Sequence, residues 1–300
     1  MALDRLAMYT TVYPGVEQYL ASWYRSIQSQ TDDAFDLWIG VDELTNDEVV
    51  AAIGCEPKAE WFRLKSDASP AAIRQGAMAE IARTYPAVIF VDSDDLLHPT
   101  RVDAARAHLK SCDVSGCALR IIDEKGKDSG VVFGPAGTED VTALLPRHNV
   151  FGLSNTAYRS DVLQECLPLP GRSDLIDWQL ATRAWLSGAR MHFDPTPRMF
   201  YRQYSGNVAR VMPPFTGEYV LLATRRVMAH YQDLLDGGQA CRDRRDGRLE
   251  EARNGAREFE RSIHSARVLE DYVAALNRLR PRYIWWWCVA NPELEHLWKN

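Results

Sequence analysis

The chain is 300 residues long, 46% hydrophobic and 25% charged, with a formal net charge of −6. That suits a globular protein of one large domain, or one domain with an appendage, and the negative balance argues against a surface built to neutralise nucleic-acid phosphates. Six scattered cysteines without CxxC spacing and seven histidines without ligand spacing exclude a zinc framework and point to reduced thiols in a cytosolic protein.

Leu6 to Val12 is an apolar opening that turns polar at Thr10 and Thr11 before Pro14 and Gly15 break it, which predicts a first strand and its loop rather than a basic-then-apolar leader. Tyr19, Leu20, Trp23 and Ile27 recur at helical spacing, predicting an amphipathic helix over 16–30. Phe35 to Val41 reads as a second strand ending at Asp42. A short helix over 47–53 and a third strand over 60–64 follow. Ser69 then caps and Pro70 starts a helix with Ile73, Ala77, Met78 and Ile81 on its buried face.

Ala87 to Val91 is a five-residue apolar run rich in β-branched side chains, and it ends in Asp92-Ser93-Asp94-Asp95. The run predicts a strand buried on both faces. If the backbone stays extended, Asp92 and Asp94 share a face and Asp95 points away. Two like charges about 4 Å apart repel by roughly 4 kcal/mol at an effective dielectric near 20. A hard divalent cation that shares its positions with water and a phosphate-bearing ligand would offset that repulsion; a solvated acidic turn capping the next helix is the structural alternative. Alternation of strands and helices predicts an α/β fold with a Rossmann-like, mostly parallel sheet flanked by helices, in which ligands collect at the carboxyl ends of strands. Thr10, Thr11, Asp42 and the acidic run all fall at such ends.

Taken together, the opening strand, Ser26-Ile27-Gln28-Ser29-Gln30 before Phe35-Asp36-Leu37, Asp42 and Phe90-Val91-Asp92-Ser93-Asp94-Asp95 resemble the nucleotide-binding half of family 2 glycosyltransferases of the GT-A fold. The resemblance covers roughly residues 5–207. It implies that Asp42 contacts the donor nucleobase with Thr10 or Thr11 beside it, and that Arg74 faces the nucleotide. It also implies a divalent metal, Mn2+ or Mg2+, on Asp94 with Asp92 and Asp95 next to it, Ser93 in the same donor-binding stretch, and a nucleotide-diphosphate sugar, a UDP-sugar by family habit, as donor. The family often has two adjacent acids after strand two; here Val41 occupies the first place, so base contact rests on Asp42.

A helix is expected over 100–109, a strand over 114–122 and a hairpin tip at Lys125 to Gly130. Phe151 to Arg159 resembles the family's strand toward the acceptor side, with Asn155 either at substrate or satisfied within a turn. Asp174 to Leu180 opens a helix running to Gly188. Asp177-Trp178 matches the second half of the family's acidic pair and aromatic, which implies Asp177 as the general base, with Asp174 as the alternative because Ile176 replaces the first acid. Tyr201 to Asn207 resembles the closing YR stretch, implying Arg202 as a phosphate clamp. Tyr204 stands where many relatives have histidine as a metal ligand.

Residues 1–210 are thus expected to form the catalytic domain and 211–300 a helical extension, with long helices over 218–235 and 248–279 around a polar stretch at 236–247. The arginine-rich segment 242–253 also carries acids and reads as a solvated helix face. No run of about eighteen apolar residues could span a bilayer. Trp285, Trp286 and Trp287 cannot all point inward from one helix, so packing on the catalytic domain, a homodimer contact and a peripheral membrane contact are all open. The last would place a cytoplasmic protein at the inner face of the membrane. The preferred function is a metal-dependent inverting glycosyltransferase acting on an acceptor hydroxyl of a glycan, lipid-linked sugar or small molecule. Two alternatives stand beside it: a haloacid-dehalogenase-type phosphatase with Asp92 as nucleophile, and a non-catalytic module that keeps the fold.

Overall fold

The computed structural model describes residues 2–64, 68–135, 139–170, 174–204, 206–236 and 247–299. Its organising element is β1 (Leu6–Val12), all seven residues of which are buried. It lies between β2 (Phe35–Val41) and β4 (Ala87–Phe90), parallel to both, and β3 (Ala59–Phe62) extends the parallel set. Helices α1 (Glu17–Gln28) and α3 (Pro70–Thr84) make two of the right-length crossovers between these strands. α1 buries Tyr19, Leu20, Trp23, Tyr24 and Ile27, and α3 starts where expected, Ser69 Oγ accepting from the Ala72 amide at 3.2 Å with Pro70 following. α2 (Asn46–Ile53) closes with Gly54 at φ +89°, the left-handed conformation that glycine adopts without cost.

Beyond β4 the sheet becomes mixed. β5 (Leu96–Leu97) and α4 (Arg101–His108) lead to β6 (Val114–Ile122), which hairpins into β7 (Asp128–Phe133). β8 (Thr156–Arg159) runs antiparallel between β4 and β6, and β9 (Met191–Arg202) pairs in parallel with β6, giving the order β3-β2-β1-β4-β8-β6-β9-β5 with β7 on β6. The sequence did not reveal β9. Pro195 and Pro197 interrupt it, and the register slips between Cys117 and Leu119 opposite them; such irregularity destroys the alternation by which a strand is read.

The short helices α5 (Val141–Leu144) and α6 (Ser160–Cys166) flank β8; α7 (Ile176–Ser187) ends at Gly188, φ +87°, and α8 (Gly217–Asp236) opens the extension. The single long helix expected over 248–279 is two helices, Gly247–Ser262 and Ala266–Leu276. Cys241, Ser205 and the polar stretch at 237–246, including the start of the arginine-rich segment, lie outside the described residues.

Trp285, Trp286 and Trp287 are 5%, 3% and 4% exposed and belong to the same continuous apolar core as β1 and α7. All three therefore face inward, which the helical premise had ruled out. They are not on a helix: the segment is irregular and passes through φ +69° at Trp286. Indoles buried in their own chain have no surface to offer a second subunit or a lipid layer. Among the described residues no helix is long and apolar enough to cross a membrane.

Candidate functional site

β4 stops at Phe90, so Asp92 to Asp95 is a turn rather than a strand end, closed by the Asp95 amide donating to the Asp92 carbonyl at 3.2 Å. The turn nevertheless separates the three acids as expected. Asp92 and Asp94 line a cavity of about 160 Å³, whereas Asp95 is 0% exposed behind them. One Asp95 oxygen accepts from Ser154 Oγ and the other from the Arg202 amide at 2.7 Å. With each oxygen engaged and the side chain fully buried, this carboxylate fixes the turn and does not line the cavity. Ser93 is likewise buried, donating to the Thr11 carbonyl at 2.8 Å and so pinning the turn to the end of β1.

Asp94 accepts a hydrogen bond from the Tyr204 hydroxyl at 2.9 Å, and Tyr204 packs against Tyr19 at 5.5 Å. Burial raises the pKa of both Asp92 and Asp94, and for Asp92 the Asp94 charge adds to it while Arg74 works the other way. Arg74, on α3, lines the same cavity. No hydrogen bond or ion pair joins it to another described residue, yet its charge lowers the pKa of Asp42, Asp92, Asp94 and Asp177 alike. An unpaired guanidinium among carboxylates is an anion-binding group.

Asp177, in the first turn of α7, lines the same cavity. Its Oδ1 accepts from the Trp178 amide at 2.8 Å and its Oδ2 from Asn149 Nδ2 at 2.9 Å. Burial pushes its pKa up to about 6 despite those bonds and the nearby Arg74. Asp174 also borders the cavity but is exposed, with Arg226 Nε at 3.9 Å; of the two carboxylates only Asp177 is desolvated and held by two hydrogen bonds. Asn149, 0% exposed, is one residue that sequence reading missed. Besides orienting Asp177 it accepts from the Phe151 amide at 2.9 Å through its side chain and from the Trp285 amide at 3.3 Å through its carbonyl. No motif marks it.

Other expected residues lie beside the cavity rather than on it. Thr10 and Thr11 are buried at the end of β1; among the described residues Thr10 Oγ1 has no partner, and Thr11 Oγ1 donates to the Tyr9 hydroxyl at 3.1 Å. Asp42 is 8% exposed, its pKa raised by burial and by Glu43. Arg202 is turned inward: Nε donates to the Asp94 carbonyl at 2.8 Å, and Nη1 to the carbonyls of Glu124 at 2.9 Å and Asp123 at 3.3 Å, with the guanidinium 4.5 Å from the centre of the Tyr19 ring. Asn155, fully buried, donates to the carbonyls of Cys117 on β6 and Val150 at 2.6 and 3.0 Å, so its amide nitrogen is spent inside the fold and only partly within its own turn. Tyr13, on the loop after β1, lines the cavity next to Tyr204 and was not anticipated.

The far wall comes from the C-terminal segment. Trp285 and Trp286 both line the cavity. Trp285 rests on Phe133 at 4.1 Å and Tyr201 at 5.6 Å and lies so close to Gly152 that a Cβ there would stand 2.4 Å from its ring. Gly152→Ala is therefore expected to lower stability by about 1–3 kcal/mol through overpacking, read as a reduced urea midpoint with unchanged slope. An unchanged midpoint would show that Trp285 moves freely.

The sequence matches no protein-family model and no curated protein. Solved structures do resemble it. Residues 1–349 of TarS from S. aureus in complex with UDP superpose with a TM-score of 0.57 at 15% identity, covering 89% of this chain and 75% of that one. The same protein in complex with UDP-GlcNAc gives 0.57 at 17%, covering 91% and 79%. Mannosyltransferase PcManGT from Pyrobaculum calidifontis, in complex with GDP-Man and Mn2+, gives 0.58 at 14%, covering 90% and 72%. At such identities the likeness shows the fold, and that fold is the GT-A glycosyltransferase architecture.

Proposed function

We propose that the protein transfers a glycosyl unit from a nucleoside-diphosphate sugar to an acceptor hydroxyl, with inversion at the anomeric carbon. The observation that supports this reading is that Arg74, without a hydrogen-bond or ion-pair partner among the described residues, lines one cavity with three desolvated acids, Asp92, Asp94 and Asp177, in this fold. Arg74 would hold the diphosphate. Asp177 would take the proton of the acceptor hydroxyl, whose oxygen attacks the anomeric carbon while the bond to the diphosphate oxygen breaks. A single displacement by a base across from the leaving group inverts the centre. Asn149 and the Trp178 amide keep the carboxylate turned toward the acceptor.

The residues present suit a divalent cation. Asp92 and Asp94 are hard oxygen donors whose ionised forms are disfavoured by burial, and a nearby positive ion would relieve that. Among the described residues no cluster of three or more such side chains could hold a metal alone, so water and donor phosphates must complete the shell, as Mg2+ tolerates. When bound, Mg2+ or Mn2+ would supply charge neutralisation on the departing diphosphate. Tyr204 fills its place as a hydrogen-bond donor to Asp94, orienting that carboxylate. Among the described residues that line the cavity there is no lysine of the kind the phosphatase alternative expects.

The test is a thermal-shift panel of UDP, GDP and ADP with and without Mg2+. A nucleoside diphosphate should raise the melting temperature, more with the metal than without. Asp94→Ala should abolish the metal-dependent increment, its metal affinity falling by more than the roughly 10–100-fold typical of losing an outer partner. UDP is the first candidate, since TarS is solved with UDP, and GDP the second from PcManGT. No shift with any of the three would overturn the assignment and leave a non-catalytic module.

A base with its pKa raised to about 6 must be ionised to work. The expected kcat/KM is level above that pH and falls about tenfold per unit below it. A profile flat down to pH 4.5 would remove Asp177 from the reaction.

A further inference from the structure

Resting on the transferase reading, we infer that Asn149 is a positioning residue through which the C-terminal segment holds the Asp177 carboxylate aimed and ionised. The extension is then a working part of the site and not an addition to it.

The side-chain amide of Asn149 can face only one way. A backbone N–H can only donate, so the atom 2.9 Å from the Phe151 amide is the oxygen, and the nitrogen is left to donate to Asp177 Oδ2 at 2.9 Å. Turning the amide over would set donor against donor at one end and oxygen against carboxylate at the other. Asn149 is 0% exposed, so solvent does not compete for its bonds, and a donor fixed on a carboxylate favours the charged form. The Trp178 amide donates to the other oxygen at 2.8 Å. A carboxylate has about four lone-pair sites, so two donors leave room on each oxygen for a proton.

The charged and titratable groups that bear on Asp177 are Arg74 from α3, Asp92 from the acidic turn and Tyr158 from β8, with Asp174 bordering the same cavity. His148 beside Asn149, and His230 on α8, stacked on Trp178 at 4.0 Å, are kept neutral by burial. Arg74 is the group given to the donor diphosphate, so its charge is balanced once donor binds. The amide of Asn149 stays.

What holds Asn149 in place comes largely from the extension. Residues 145–152 contain no helix, and no strand beyond the single antiparallel bridge between Asn149 and Trp285. Long-range bonds tie this loop down: the Leu145 carbonyl accepts from Trp178 Nε1 at 2.8 Å, that of Pro146 from the Tyr231 hydroxyl at 2.7 Å, and that of Asn149 from the Trp285 amide at 3.3 Å. Tyr231 on α8 and Trp285 both belong to the extension. A loop without ladder bonds takes its position from such anchors.

The experiment follows the full 15N-labelled chain from about pH 4.5 to about pH 8, without donor, acceptor or metal. The side-chain amide of Asn149 and the backbone amide of Trp285 should shift along the same titration curve as the Trp178 amide, centred at about pH 6, and Asp177→Asn should flatten all three. Either of the first two standing still, or titrating unchanged in Asp177→Asn, overturns the inference. Asn149→Asp keeps the acceptor for the Phe151 amide and sets a second carboxyl against the base, so that the pair shares a proton. The acid limb of kcat/KM should then move up by about one to two pH units, the worth of a hydrogen bond to a charged group, with UDP affinity within about twofold of the parent. Lowered activity with an unmoved limb would show that Asn149 serves only the fold. The amide titration needs no turnover: a chain that transfers no sugar counts against the transferase reading, and the spectra still decide whether Asn149 links Asp177 to Trp285.

Discussion

Replacing Asp177 by asparagine is expected to reduce transfer by about 10²–10⁴-fold, the usual contribution of a positioned base, while UDP affinity stays the same. The geometry makes the variant conservative: an asparagine oxygen can still accept from the Trp178 amide, and only the bond from Asn149 Nδ2 is lost, since two amide donors then face each other. Stability should move the opposite way from activity. Burial pushes the carboxyl's pKa up to about 6 in the folded protein against about 3.9 unfolded, so ionisation costs folding free energy on the order of 3 kcal/mol above pH 6. That cost shrinks as pH falls toward the unfolded value. Asp177→Asn should therefore melt higher than the parent at pH 7.5, with the advantage fading by pH 4. Full activity in the variant, or a lower melting point at pH 7.5 with normal nucleotide binding, would show that Asp177 is only a helix cap.

Arg202→Ala is expected to cost about 3–5 kcal/mol of stability. The side chain is 3% exposed and serves the carbonyls of Asp94, Asp123 and Glu124 while lying over Tyr19. Its removal leaves three acceptors without their donor and a void behind the acidic turn. Arg202→Lys keeps the charge but cannot span three carbonyls, so it should recover only part of the loss. Denaturant unfolding measures the cost, and UDP titration of the folded variants tells the roles apart. A variant of unchanged stability whose UDP affinity drops more than tenfold would mean that the guanidinium clamps phosphate, as the sequence resemblance implies.

Much of the scaffold was legible because the signals are local. Ser69 and Pro70 mark the start of α3, and the apolar run before Asp92 marks β4, its length and flanks leaving little choice. The acidic turn could be located but not its division of labour. That Asp95 is spent on Ser154 and the Arg202 amide depends on partners 59 and 107 positions away, which no spacing rule reaches. Trp285 to Trp287 misled for a related reason: a left-handed tryptophan has no sequence signature, so the inward path of all three indoles is visible only in three dimensions. Asn149 offers no pattern at all, though it links the proposed base to the last wall of the cavity.

The cavity draws on residues from Tyr13 to Trp286, and this sets an order of events during synthesis. A ribosome adding about 5–20 residues per second delivers the acidic turn, α3 and α7 well before the tryptophans that cover them. Until those emerge, Trp178 and Gly152 have no covering wall and the nascent chain presents a greasy notch. A product released early would keep its acids and its arginine yet lack the indoles that help line the cavity, and would be a ready client for chaperones.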